Sequence, residues 1–162
     1  VGWVEALYGQ IVGLDTAPLI YYLEAHPTYL PLVDPFFDAL DRGAIQIVTS
    51  TVTLIEVLTQ PLRQGNTALA QQYRELLLNT QGLTVQAVTP AIAEEAARLR
   101  AAHAFRTPDA IQLATALTTG ASSLLTNDAK LARAPGLRVL VVDQLPTVPG
   151  PPAQSTGPAT AT

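Results

Sequence analysis

An α/β fold, with a mainly parallel central sheet covered by helices on both faces, is what this sequence predicts. Three observations carry that expectation. Short β-branched runs alternate with longer segments patterned as helices, which is the order that builds parallel sheets. Most of those runs read as buried strands. The chain has 162 residues, 48% of them hydrophobic and only 14% charged. That is about one domain's worth of sequence, able to bury a core without help.

The elements follow in order. Ile11-Val12-Gly13-Leu14 reads as the first buried strand, and a helix is expected to open near Ala17 and Pro18. Ile45-Gln46-Ile47-Val48 is the second strand. Asn66 can cap a helix in which Leu69, Tyr73, Leu76 and Leu77 form one apolar stripe. Leu83–Val88 reads as a third buried strand. Thr89-Pro90 is a cap followed by proline at the first helical position, and Ile92, Ala96 and Leu99 continue the stripe. Thr107-Pro108 repeats that start signal, and Gly120 ends the helix. Ala110 to Leu117 is apolar on nearly every side, so this helix should be central and buried. Ser123-Leu124-Leu125 and Val139–Val142 complete the strands. Residues 1–145 therefore form the expected domain. Residues 146–162 carry no charge and five of the thirteen prolines, the composition of a flexible extension with no core of its own.

Composition narrows the function. With no cysteine, disulfide scaffolds and Cys-based zinc sites or nucleophiles are excluded. Two histidines, His26 and His103, leave little for a His-rich metal site, and both are expected at the surface. The net charge of −4 rules out a globally basic surface for binding nucleic acid. No apolar run approaches the roughly 20 residues needed to span a bilayer. The first residues, VGWVEALYGQ, show no basic region and no cleavage pattern, so a cytoplasmic location is expected. Trp3, Tyr8, Tyr21, Tyr22, Phe36 and Phe37 are expected in the core or at a dimer contact rather than as base-stacking platforms.

The acids are the informative residues. Nine of the thirteen sit beside polar or turn residues or near a helix end, where solvation explains them. Asp15, Glu56, Asp109 and Asp128 are harder to place. Asp15 directly follows the first strand, where open α/β sheets gather ligands; a plain helix cap explains it as well. Glu56 is flanked by Leu54, Ile55, Val57 and Leu58, so partial burial is expected; Thr53 and Glu56 also match a capping box. Asp109 lies in a first helical turn, favoured there by the helix dipole, with Gln112 one turn along on the same face. Asp128 follows the Ser123–Leu125 strand, where a turn into a short helix also favours Asp. Together the four could face one edge of a single sheet. Without them nine acids balance nine bases. Clustered carboxylates raise each other's pKa and persist as anions only around a cation. Oxygen donors select Mg²⁺, Mn²⁺ or Ca²⁺, ions that serve phosphodiester cleavage.

The sequence Leu14-Asp15-Thr16, then Thr53-Leu54-Ile55-Glu56, then Thr107-Pro108-Asp109-Ala110-Ile111-Gln112-Leu113-Ala114-Thr115-Ala116-Leu117, then Leu125-Thr126-Asn127-Asp128 resembles the PIN-domain ribonucleases. Within these it is most similar to the VapC-type toxins of bacterial toxin–antitoxin pairs. The resemblance runs from about Ile11 to Leu145, and the third and fourth motifs are its most specific parts. It implies a three-layer α/β/α PIN-like fold, Mg²⁺- or Mn²⁺-dependent endoribonuclease activity, a homodimer, and inhibition by a cognate antitoxin protein. Asp15, Glu56, Asp109 and Asp128 would form the acidic metal site. Thr126 and Asn127 would shape the loop holding Asp128, and Thr16 would support through its hydroxyl. Gln112 departs from the pattern, standing where a histidine is frequent.

No side chain has the surroundings of a nucleophile, so water is the expected attacker, leaving a 5′-phosphate and a 3′-hydroxyl. Arg63, Arg74, Arg98, Arg100, Arg106 and Arg133 are candidates for phosphate contacts, Arg106 first because it lies three residues before Asp109. The main rival is a PIN-like module that binds or scaffolds without cutting. A dehalogenase-type phosphatase would need an Asp at position 17, which is Ala. A dinucleotide binder would need a glycine-rich phosphate loop that the chain lacks.

Overall fold

A computed structural model describes residues 2–147. The expected extension from Pro146 lies outside the described residues save for Pro146 and Thr147. In chain order the elements are β1 (Ile11–Leu14), α1 (Thr16–Leu23), α2 (Leu30–Asp41), β2 (Gln46–Ser50), α3 (Thr51–Arg63), α4 (Thr67–Asn79), β3 (Leu83–Gln86), α5 (Pro90–His103), α6 (Thr107–Thr118), β4 (Ser123–Thr126) and β5 (Arg138–Val141). The sheet order is β3-β2-β1-β4-β5, and every neighbouring pair is parallel. The sheet is thus wholly parallel, and the three-layer architecture stands.

Alternation along the strands splits the core in two. Val12, Leu14, Ile47, Leu125 and Leu140 point to one face, where Leu19, Val33, Phe36 and Leu77 cover them. Val48 and Leu124 point to the other, against Leu99, Ala110, Leu113 and Ala114. Phe36 and Phe37 are buried, and Phe37 stacks on Tyr22 with ring centroids 4.1 Å apart. The helix α6 lies against this second face almost without side chain between. Its Ala110, Ala114 and Ala116 are buried, and a Cβ at Gly13 would fall 2.8 Å from that of Ala116. Gly13 therefore sets how close α6 comes to β1.

Several expectations shift. The helix α3 is capped by Ser50, whose hydroxyl accepts from Val52 N, so Thr53 is already inside the helix and no capping box forms with Glu56. Arg106, not Thr107, holds the cap position of α6, with no side-chain cap bond. The strand β3 stops at Gln86 and is an edge strand whose residues are half-buried or exposed rather than fully buried. Val142 leaves the last strand for a short 3-10 turn. His26 and His103 are half-buried, and His26 Nδ1 accepts backbone N–H bonds from Thr28 and Tyr29. The helix α2 gave no sequence signal of its own, having Pro31 in its first turn and Pro35 inside it.

Candidate active site

Strand order reverses at β1: β2 and β3 extend to one side, β4 and β5 to the other. At such a switch point the connections leaving adjacent strands diverge and open a crevice at the carboxyl edge. Asp15 follows β1 and Asp128 follows β4 at that edge. The helices α3 and α6 deliver Glu56 and Asp109.

Asp15 is also the cap of α1, its Oδ1 accepting from Thr16 N at 2.9 Å. Its Oδ2 accepts from the Thr126 hydroxyl at 2.7 Å. The same Thr126 oxygen accepts from Asp128 N at 3.0 Å, so one fully buried threonine joins the first and fourth acids. Asn127 fixes the loop between them: its Nδ2 donates to the Tyr21 hydroxyl, and its Oδ1 accepts from Asp143 N. Asp128 Oδ1 caps the short helix Ala129–Arg133 by accepting from Lys130 N. Asp109 Oδ2 accepts from Arg106 Nε at 3.0 Å. Glu56 is exposed rather than partly buried, because the turn of α3 that buries Thr53 and Val57 aims residues 55 and 56 outward.

Electrostatics tie the acids together. Burial pushes the Asp15 carboxyl above its usual range; the Thr126 and Thr16 hydrogen bonds pull it back, and the charges of Asp109 and Glu56 raise it further. Arg106 is held protonated most strongly by its bond to Asp109 and also by the charges of Asp128 and Glu56. All four acids thus act on one small region. Among the described residues no three of them, with or without histidine, stand as a ready-made cation cage. The donor chemistry fits a hard divalent cation: every donor is a carboxylate oxygen, and Asp15, disfavoured as an anion by its burial, lies in the crevice.

Beneath the acids lies a polar layer that sequence reasoning missed. Gln112 is buried and reaches one strand and two helices at once. Its Oε1 accepts from Ser50 Oγ at 2.8 Å, and its Nε2 donates to Thr53 Oγ1 at 2.6 Å and, longer, to Thr16 Oγ1 at 3.5 Å. Thr16 and Thr53 hydroxyls are 3.0 Å apart, and the Thr49 hydroxyl lies 2.8 Å from both Thr53 Oγ1 and the Leu14 carbonyl. Among the described residues no buried side-chain polar atom lacks a partner. Thr16 therefore serves the acids through its backbone N–H, while its hydroxyl belongs to this layer. Gln112 takes a role that joins the start of α1, the start of α3 and the first turns of α6, the elements carrying Asp15, Glu56 and Asp109. The available signal was a glutamine in the mostly apolar Ala110–Leu117 run.

A family model described as PIN domain matches residues 12–137. Among solved structures the chain is similar to VapBC2 from Rickettsia felis bound to a DNA fragment from their promoter, with a TM-score of 0.65 and 19% identity, covering 81% of this chain and 98% of that one. A toxin–antitoxin complex from Klebsiella pneumoniae gives a TM-score of 0.60 and 22% identity, covering 83% and 98%. VapC20 from Mycobacterium tuberculosis, described as a sarcin–ricin loop cleaving toxin, gives 0.57 and 19%, covering 70% and 86%. At these identities the likeness is one of fold. No curated protein matches the sequence.

Proposed function

The chain belongs to the PIN-domain family, a family of nucleases, and from that premise we propose that it is a Mg²⁺- or Mn²⁺-dependent endoribonuclease, the toxin of a toxin–antitoxin pair. The observation that carries the reading is the set of four acids at the switch point, joined through Thr126 and through the field around Arg106. Asp15, Glu56, Asp109 and Asp128 would hold the cation. When bound, a divalent ion there would supply a more acidic water and offset charge on the phosphate. The chain's own part is positioning. Thr126 orients Asp15 and the backbone of Asp128 together; Asn127 braces the loop against Tyr21 and residue 143; Gln112 fixes the helices that carry the remaining acids. The hydroxyls nearest the acids, Thr16 and Thr126, are buried and already bonded, so water is the attacking group. Cleavage would leave a 5′-phosphate and a 3′-hydroxyl.

The partner reading rests on two supports. One of the similar structures is a toxin–antitoxin complex, and another is VapBC2 bound to DNA from its promoter. This chain also carries an apolar groove between α1, α2 and α4, lined by Leu19, Tyr22, Phe37 and the half-exposed Leu76, of the kind that marks a protein contact. A homodimer and a cytoplasmic location belong to the same proposal. No helix among the described residues is long and apolar enough to cross a membrane. The test is cleavage of total bacterial RNA by the purified chain, freed of any co-purified inhibitor, with Mg²⁺, with Mn²⁺ and with EDTA. Cutting should require metal, and Asp109→Asn should lower it by about 100-fold or more, the scale of one lost pre-organised charge. Well-folded chain that cuts nothing in either metal would move the assignment to a non-catalytic binding module.

A further inference from the structure

A cavity of about 380 Å³ opens beside the acids, between the α5–α6 connection and the short helix after β4. Ala104, Phe105, Arg106, Asp109, Asp128, Lys130, Leu131 and Arg133 line it, the two acids facing three cations. The whole chain has only nine basic side chains and a net charge of −4, yet a third of those bases border this one hollow. Lys130 is the only lysine. The two acids are ones a divalent ion would neutralise, and their neutralisation leaves three positive charges on the rim.

Arg133 is seated rather than loose. Its guanidinium carbon lies 4.8 Å from the centroid of the Phe105 ring. The ring attracts the cation without using its N–H groups, and no hydrogen-bond partner among the described residues takes them, so they can fork onto two oxygens of a phosphate. Neither Arg133 nor Lys130 is paired with an acid among the described residues, whereas Arg106 is paired with Asp109. The ring beneath Arg133 is itself fixed. Phe105 is buried, its carbonyl accepts from Arg100 Nε at 3.1 Å, and Ala104 before it turns the chain at φ +56°.

We propose that this cavity is a phosphate subsite for the RNA backbone beside the cleaved bond, with Arg133 as its anchor, Phe105 as the residue that positions it, and Arg106 and Lys130 as its outer rim. The identity of the ligand rests on the nuclease reading above. An acidic peptide would meet the same cations, but it has no need of the neighbouring carboxylates, and those carboxylates with their ion are what a phosphodiester requires.

The experiment is fluorescence anisotropy with a labelled oligouridylate of about 12 nucleotides, checked for integrity on a denaturing gel, in Mg²⁺ over a range of KCl. Arg133→Gln is compared with Arg138→Gln, which makes the same charge change at an exposed residue that opens β5, on the sheet edge opposite the acids. Arg133→Gln should weaken binding about fivefold or more near 0.1 M KCl and lower the salt slope by about 0.7, the loss of one single-strand phosphate contact. Arg138→Gln should leave both unchanged, and Arg133→Lys should keep the slope while losing part of the affinity. Equal effects of Arg133→Gln and Arg138→Gln, or no binding by the unmodified chain, would overturn the subsite. So would a poly-glutamate peptide that binds through Arg133 where the oligonucleotide does not. The two proposals separate cleanly. Binding through Arg133 without metal-dependent cutting keeps the subsite and sinks the nuclease, while cutting with an unaltered KM in Arg133→Gln does the reverse.

Discussion

Asp15 is under two opposed demands. It caps α1 and accepts from Thr126, both of which favour the carboxylate, yet burial and the charges of Asp109 and Glu56 disfavour it more. Its pKa in the folded chain is raised above 3.8, so the folded state binds this proton more tightly than the unfolded state. The stability it contributes is therefore complete below that value and is lost as pH rises through the folded pKa. Measured in EDTA by urea denaturation, unmodified chain should lose ground against Asp15→Asn as pH rises from about 4; a gap that stays constant with pH would contradict the raised pKa. Gln112 offers the second test at this scale. Gln112→Leu would leave the buried Ser50 hydroxyl without its acceptor, at about 1–3 kcal/mol for a buried group left unsatisfied, while Thr53 keeps Thr16 and Thr49 as partners. Urea denaturation should show that loss, and Gln112→Glu, which keeps the acceptor for Ser50, should recover part of it below the carboxylate pKa. The acids were legible one by one because strand ends and helix starts can be read locally. Gln112 was not, since its partners lie 59, 62 and 96 residues away and only the fold brings them near.

At the scale of elements, the placement of α6 decides whether Asp109 reaches the crevice. That helix is smooth where it meets the sheet, and Gly13 in β1 is the matching notch. A methyl group there would fall 2.8 Å from Ala116 Cβ and 2.9 Å from Leu124 Cδ1, closer than packed carbons approach. Gly13→Ala should cost about 1–3 kcal/mol, the usual scale of overpacking. The push falls on Ala116, seven residues along α6 from Asp109, so a rigid helix would tilt and carry the acid with it, and cleavage should fall beyond what the lost stability explains. Activity measured well below the melting temperature, beside the melting curve itself, separates the two; normal activity in a stable Gly13→Ala chain would show that α6 can shift without moving the acid. The strands and the proline-started helices could be read from the sequence because period, caps and turn residues are local signals. The cap of α3 was misread for a physical reason. Ser50, at the end of β2, and Thr53 can both accept from a helix N-terminus, and only the strand's exit decides that Ser50 does and that Thr53 turns inward to Gln112. The same register leaves Ile55 and Glu56 on the outer side, which is why apolar neighbours in sequence did not bury the glutamate.

For the whole molecule, the question is what the acids cost when nothing neutralises them. A chain of net −4 concentrates four carboxylates at one edge and sets Arg106 among them, paired to Asp109. That pairing is exposed on the arginine side and so contributes little by itself. The folded chain should accordingly gain stability from a divalent ion that the unfolded chain cannot hold in the same geometry. A ligand that binds only the folded state stabilises it by RT ln(1 + [L]/Kd), about 1.4 kcal/mol at a tenfold excess over Kd. The melting temperature should therefore climb with the logarithm of Mn²⁺ or Mg²⁺ concentration once Kd is passed, and the climb should vanish in Asp15→Asn and Asp109→Asn. Raising KCl to the same ionic strength is the necessary control, because simple screening would relieve part of the repulsion among the acids without any ion being held. A rise that KCl reproduces in full would mean that the acids repel but do not bind, and the chain would then have kept the family's fold and charges without its metal chemistry. A rise specific to the divalent ion and lost with either aspartate would place the ion at the switch point, where β1 and α6 bring those two carboxylates.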